Sequence, residues 1–332
     1  MTLLDSFGRV HRDLRVSLTD RCNLRCTYCM PEDFGAWTPR ADLLTRAEIV
    51  RVVSVAVDNG VTAVRLTGGE PLLHPEVVEI VRDIARLPNA PRIALTTNGL
   101  LLATLATPLA QAGLARVNIS LDTLDRKRFA EITKRDRLDE VLAGIQGAQQ
   151  AGLRPLKINA VLMRGVNETE AVALLRTAIA QDWSLRFIEQ MPLDAGGIWS
   201  RSTMVTAAET LELLRGAFEL EPLGGRGSAP AEEFIVDGGP ATVGIIASVT
   251  QPFCGNCDRL RVTADGQVRN CLFARSESDL RSILRNPELN ELQRDSAITR
   301  VFGSSVAAKL AGHGIDDPLF LQPSRPMSAI GG

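Results

Sequence analysis

The sequence predicts an α/β fold, with six strand and helix units forming a partial barrel or an open parallel sheet, followed by a smaller C-terminal domain. Between Asp13 and about Gln190 a short apolar or β-branched run, a polar turn and a helix-period segment recur. After about Glu221 that period is lost, which places the expected domains at residues 1–220 and 221–332. The cysteines follow the same division: Cys22, Cys26 and Cys29 near the start, and Cys254, Cys257 and Cys271 near the end.

The strands are expected at Leu14–Leu18, Ala63–Thr67, Arg92–Thr96, Arg116–Ser120, Leu156–Val161 and Leu185–Ile188. The first linking helix has both of its ends written locally. Thr45-Arg-Ala-Glu48 is a capping box, Ile49, Val52, Val53 and Ala56 make an apolar stripe, and Asn59-Gly60 is the stop. Helices are also expected at Glu76–Leu87, Leu101–Ala112, Leu138–Ala151 and Glu168–Gln181. In either arrangement of such units, ligands collect beyond the carboxyl ends of the strands. Leu223–Ala231 reads as a linker or mobile loop, and Asp237-Gly-Gly-Pro240 as the turn of a hairpin between Phe234–Val236 and Thr242–Ile246. Helical segments are expected from about Ser276 to Leu310, then a polar, proline-containing tail.

With 332 residues, 45% hydrophobic and 23% charged, the chain is long enough to bury a full core without staples. A net charge of -2 argues against nucleic acid or an anionic membrane as partner, so any anionic ligand must be held by local cations. The N-terminus lacks a secretory pattern and no apolar run spans a bilayer, which predicts a cytoplasmic protein with reduced thiols.

Each triplet is one ligand short of a closed four-thiolate site. Cys22-x-x-x-Cys26-x-x-Cys29 lies just beyond the first strand, where an active site belongs. Three such thiolates suit a cubane of four irons with one iron left open, although a zinc site completed by a distant residue remains an alternative. For Cys254, Cys257 and Cys271 the missing ligand could also come from afar, with His313 a candidate for zinc.

Arg15-Val-Ser-Leu-Thr-Asp-Arg-Cys-Asn-Leu-Arg-Cys-Thr-Tyr-Cys-Met-Pro resembles the cluster loop of the radical S-adenosylmethionine enzymes. That resemblance implies a partial (β/α)6 TIM-type barrel and a [4Fe-4S] cluster whose open iron binds S-adenosylmethionine. It implies S-adenosylmethionine contacts at Tyr28, Gly69, Ser120 and Met191. Gly68-Gly69-Glu70-Pro71 after the second strand is expected to let backbone approach that ligand.

Trp37, Leu43-Leu44-Thr45, Arg186-Phe187-Ile188-Glu189, the second triplet and the terminal Gly331-Gly332 are similar to one branch of that family, which cyclises GTP to open molybdopterin synthesis. This implies a second [4Fe-4S] cluster on Cys254, Cys257 and Cys271 that holds the guanine edge. It implies GTP contacts at Arg15, Arg65, Thr96, Lys157, Arg259 and Arg261, with Arg259, Arg261, Gly331 and Gly332 serving the chemistry. Inward-facing cations on barrel strands are costly without an anion, an independent reason to read Arg15, Arg65 and Lys157 as site residues at the carboxyl ends. The resemblance further implies a low-potential electron donor and transfer of the product to cyclic pyranopterin monophosphate synthase; a homodimer is compatible with the sequence. Two other readings stand beside it: a radical enzyme that matures a peptide or cofactor, and a zinc-dependent structural protein.

Overall fold

The structure is a computed structural model that describes residues 2–30, 36–194, 197 and 199–331. The first strands and helices alternate as β1 (Asp13–Ser17), α1 (Arg46–Asp58), β2 (Ala63–Thr67), α2 (Val77–Ala85), β3 (Arg92–Thr97), α3 (Leu102–Ala112) and β4 (Arg116–Ser120). Two helices follow, α4 (Arg126–Thr133) and α5 (Leu138–Gln150), then β5 (Lys157–Leu162), α6 (Ala171–Ala180) and β6 (Ser184–Glu189). All six strands pair in parallel and in sequence order.

α1 starts and stops where local chemistry dictates, with Thr45 and Glu48 capping one another and Asn59 closing the helix. α4 escapes sequence reading because Arg126-Lys-Arg-Phe-Ala-Glu-Ile-Thr133 carries only Phe129 and Ile132 as large apolar residues. Asp125 caps it by accepting from the Arg128 N–H at 2.7 Å.

The C-terminal region contributes α7 (Ala207–Arg215), β7 (Leu220–Pro222), β8 (Glu232–Val236), β9 (Thr242–Ile246), β10 (Arg259–Val262), β11 (Gln267–Arg269) and β12 (Ser278–Asp279). The β8–β9 hairpin forms around Asp237-Gly-Gly-Pro240 as expected. β9 then pairs in parallel with β6, while β10 pairs in parallel with β1. One twelve-stranded sheet therefore runs through both regions, and the C-terminal strands extend the barrel at both of its open edges. The expected helical stretch from 276 to 310 is divided into β12, α8 (Arg281–Leu284) and α9 (Glu291–Ala307). Pro287 breaks it, and Asn290 restarts the helix with a capping box on Gln293. A last short helix, α10 (Met327–Ile330), lies where only a polar tail was expected. Among the described residues no helix is long and apolar enough to cross a membrane.

Alternation along each strand separates core from interior. Leu14, Val16, Val64 and Leu66 are buried against the outer helices, so Asp13, Arg15 and Ser17, and likewise Ala63, Arg65 and Thr67, point inside. Phe302 of α9 is fully buried in the main apolar core. Phe302→Ala is expected to cost about 3–5 kcal/mol, read as a lower urea midpoint; an unchanged midpoint would show that α9 is not structurally coupled to the core.

Candidate active site

The barrel interior opens into a cavity of ≈ 260 Å³ beyond the carboxyl ends of the strands. Its walls bring together Cys22, Cys26 and Cys29, Tyr28, Gly69, Ser120 and Met191, and Arg15, Arg65, Thr96, Arg259 and Arg261. A neighbouring cavity of ≈ 70 Å³ is lined by Cys254, Cys257 and Cys271. Met191, Ser248, Phe253, Arg259, Arg261 and Leu272 line both, so the two triplets lie on adjoining cavities with a shared wall.

The first triplet sits on a loop fixed from two sides. Arg25 N–H donates to Thr133 O at 2.9 Å and Thr27 N–H to Ile132 O at 3.0 Å, which ties the loop to the end of α4. Gly69 N–H donates to Thr19 O at 2.8 Å and Glu70 N–H to Arg21 O at 2.7 Å, which ties it to the end of β2. The glycine pair has a second role beside the expected one. A Cβ on Gly68 would collide with the Thr19 carbonyl, and one on Gly69 with the carbonyls of Asp20 and Arg21. The glycines admit the cysteine loop, and they also form part of the cavity wall.

Burial, followed by the mutual proximity of the thiols and Asp122, pushes the Cys26 thiol well up and the Cys29 thiol up to about 12. Three thiols that oppose one another's ionisation need a cationic partner to become ligands together. His313 is unsuited to the role held open for it. Its Nδ1 accepts from Ile315 N–H at 3.1 Å, so its Nε2 carries the proton and donates to Ser248 O at 3.0 Å.

Several residues at the site carried no signal that was read in the sequence. Tyr28 donates its hydroxyl to Asp122 Oδ2 at 2.8 Å, and Asp122 Oδ1 accepts from Val161 N–H at 2.8 Å. Burial raises Asp122 to about 6. Asn98 reaches Asn23 Oδ1 at 2.7 Å and Cys22 Sγ at 3.8 Å. Glu70 accepts from Thr97 Oγ1, Asn98 N–H and Leu72 N–H, and burial pushes it up to about 7. Beside the second triplet, Lys309 Nζ donates to Arg259 O at 2.7 Å and to Cys257 Sγ at 3.5 Å. Burial opposes ionisation of the Cys257 thiol, but Lys309 and Arg259 together lower it. A lysine inside the apolar run Val306-Ala-Ala-Lys-Leu310 was the available hint. Arg9, from the N-terminal hairpin, supports the same loop by donating to Cys254 O at 2.6 Å.

The cations form rows set by register. Arg261 pairs with Arg15 and Arg15 with Arg65, so three guanidiniums from β10, β1 and β2 lie side by side on the inner face. Burial, followed by repulsion from neighbouring arginines, lowers Arg261 well below its ordinary value and depresses Arg15. The Nε atoms of Arg15, Arg65, Arg186 and Arg259, which all line the larger cavity, are buried without a hydrogen-bond partner, an arrangement suited to an anion. Arg186 Nη2 reaches Glu233 Oε1 at 2.9 Å, and Gly244 opposite leaves space for its stem.

Lys157 departs from its expected place. It opens β5 and does not line the larger cavity, so it lies toward the amino end of the barrel; burial and then Arg186 and Arg116 lower it to about 8. Gly331 also lies outside that lining, buried with its carbonyl accepting from Arg261 Nη1 at 2.5 Å. Gly332 lies outside the described residues.

The pattern of the Radical SAM superfamily matches residues 16–178, and that of Molybdenum Cofactor Synthesis C matches residues 183–315. A Streptomyces coelicolor GTP 3′,8-cyclase is 56% identical over 333 aligned residues, covering 99% of this chain and 96% of its own. The chain belongs to the GTP 3′,8-cyclase family. A Mycobacterium marinum member of that family is 53% identical, covering 99% of this chain and 92% of its own. Streptococcus suis SuiB bound to S-adenosylmethionine shares the fold, with a TM-score of 0.58 at 15% identity over 94% of this chain and 68% of that one. As a radical SAM enzyme, this cyclase-family chain uses a [4Fe-4S] cluster and S-adenosylmethionine.

Gly68 combines a φ of +142° with contact against the Thr19 backbone. Gly68→Ala is therefore expected to displace the cysteine loop and lose the first cluster, about four irons per chain. Full iron content in that variant would overturn this account of the loop.

Proposed function

We propose that this chain converts GTP to (8S)-3′,8-cyclo-7,8-dihydroguanosine 5′-triphosphate, the first step of molybdopterin synthesis. The shared wall carries this reading, because two adjoining cavities place the first cysteine triplet, a row of arginines and the second triplet next to one another. Cys22, Cys26 and Cys29 would hold a [4Fe-4S] cluster, with Tyr28, Gly69, Ser120 and Met191 positioned around S-adenosylmethionine. When bound and reduced, that pair supplies a carbon-centred radical able to take hydrogen from ribose C3′.

The residues do the rest by placement. Arg15, Arg65 and Arg261 face the space for a triphosphate, Arg259 stands between the two cavities, Thr96 lines the third strand, and Lys157 supplies charge toward the amino end. Cys254, Cys257 and Cys271 would hold a second [4Fe-4S] cluster able to take the guanine edge, which would help place C8 near C3′. The two expected domains, residues 1–220 and 221–332, each bring one triplet to the site, and both supply cations for the triphosphate. A low-potential electron donor, a downstream cyclic pyranopterin monophosphate synthase, a cytoplasmic setting and a homodimer belong to the same proposal.

Anaerobic reconstitution to about eight irons, followed by reductant, S-adenosylmethionine and GTP, is expected to yield 5′-deoxyadenosine and cyclised GTP by mass spectrometry. A fully loaded preparation that makes neither sinks the reading. Cys271→Ala is expected to keep S-adenosylmethionine cleavage and lose cyclisation, and normal product from it would remove the second cluster from the substrate site.

Lys157 gives a pH test with a definite sign. Its folded value of about 8 lies below the ordinary 10.5, so the folded state loses stability as pH falls from 10.5 toward 8. A bound triphosphate favours the ammonium and raises that value, so GTP binding at about pH 9 takes up as much as about one proton on this lysine. Calorimetry in buffers of different ionisation enthalpy reads the uptake. Lys157→Met should reduce it, and equal uptake in the variant would place the triphosphate away from this lysine.

A further inference from the structure

The C-terminal segment threads between the two triplets with little freedom to shift. Met327 N–H donates to Leu193 O at 3.1 Å, and the Ser328 N–H donates to the Cys29 thiol. Ile330 is fully buried in an apolar cluster with Leu193, Phe273 and Ile315. Gly331 has a φ of +73° and is wedged against Ser17 Oγ and Thr67 Oγ1, where a Cβ would lie 2.6 Å from the threonine oxygen. Its carbonyl accepts from Arg261 at 2.5 Å.

One charged contact fixes where this segment begins. Arg325 forks onto Asp265, Nη1 to Oδ1 and Nη2 to Oδ2 at 2.9 Å each, and Nη2 also lies 3.0 Å from Glu277 Oε2. Asp265 is itself held in the β10–β11 turn by Thr263 Oγ1 at 2.5 Å, and Glu277 is tied to Arg269 at 2.5 Å. The carboxylates are thus preorganised, and two prolines, Pro323 and Pro326, restrict the backbone on either side of the arginine. Two parallel N–H···O bonds specify an orientation as well as a contact. A slip of one residue after Arg325 would bring Ile330 to the place that admits only glycine.

We propose that Arg325 is a latch, a positioning residue whose fork onto Asp265 and Glu277 sets the register of the tail and so couples S-adenosylmethionine cleavage to ring closure. The coupling half rests on the function proposed above; the docking half stands on this geometry alone. Two readouts separate them: amide hydrogen exchange at residues 327–331, and the ratio of 5′-deoxyadenosine formed to GTP cyclised.

In Arg325→Gln the Ser328 and Gly331 amides are expected to exchange roughly tenfold faster, as befits loss of a charge-assisted bidentate pair. The ratio should rise above that of the unaltered enzyme. The charge-swapped pair, Arg325→Asp with Asp265→Arg, should restore both. Asp265→Asn breaks the same fork outside the tail, and is decisive if Arg325→Gln fails to fold. Unaltered exchange in the folded variant would overturn the latch, and a freed tail with an unaltered ratio would overturn the coupling. If even the unaltered enzyme makes no cyclised GTP, the proposed function fails while the exchange arm still decides the latch.

Discussion

The parallel register of β10, β1 and β2 places Arg261, Arg15 and Arg65 beside one another inside the barrel, and much of the rest of the site answers to that row. At strand spacing, with an effective dielectric near 20, each neighbouring pair of charges repels by about 3 kcal/mol. Asp13 relieves part of this, standing 4.0 Å from Arg259. The remaining charge is left for a ligand, so the barrel holds itself in a state that a polyanion stabilises. Leu14, Val16, Val64 and Leu66 on the opposite faces of the same strands supply the burial that makes the arrangement sustainable.

The second consequence of that register is that the C-terminal region cannot be an independent appendage. β10 carries two of the cations and lies between Cys257 and Cys271 of the second triplet, so its pairing with β1 fixes one triplet relative to the other. At the other edge, Glu189 at the end of β6 accepts from Ala207, Val249 and Thr250 N–H at 2.7, 2.8 and 2.9 Å. Both edges of the barrel are therefore tied to the region that carries the second site. This is the rigidity that positioning chemistry needs, since a carbon radical reacts with whatever it can reach.

Sequence reading worked where a signal was local. The capping box at Thr45, the period of the strands and the spacing of Cys22, Cys26 and Cys29 each sit within a few residues, and each element appeared within a residue or two of its expected place. It failed where local chemistry was weak. α4 has too few apolar residues to show a period, and Lys157 looked like a carboxyl-end residue although it opens its strand. Tyr28 with Asp122, and Cys257 with Lys309, join residues far apart in the chain, and no spacing announces such a pair.

By itself the sequence determined which atoms are available: six thiols in two open triplets, cations on the strands, and a diglycine end. These depend on residue identity and short-range spacing, which a chain carries whether folded or not. Tertiary structure alone decided that the two triplets lie on adjoining cavities, that Gly68 and Gly69 make room for the cysteine loop, and that Arg325 pins the tail to Asp265. Those facts rest on register and on contacts between residues far apart in the chain, which only the folded sheet brings together.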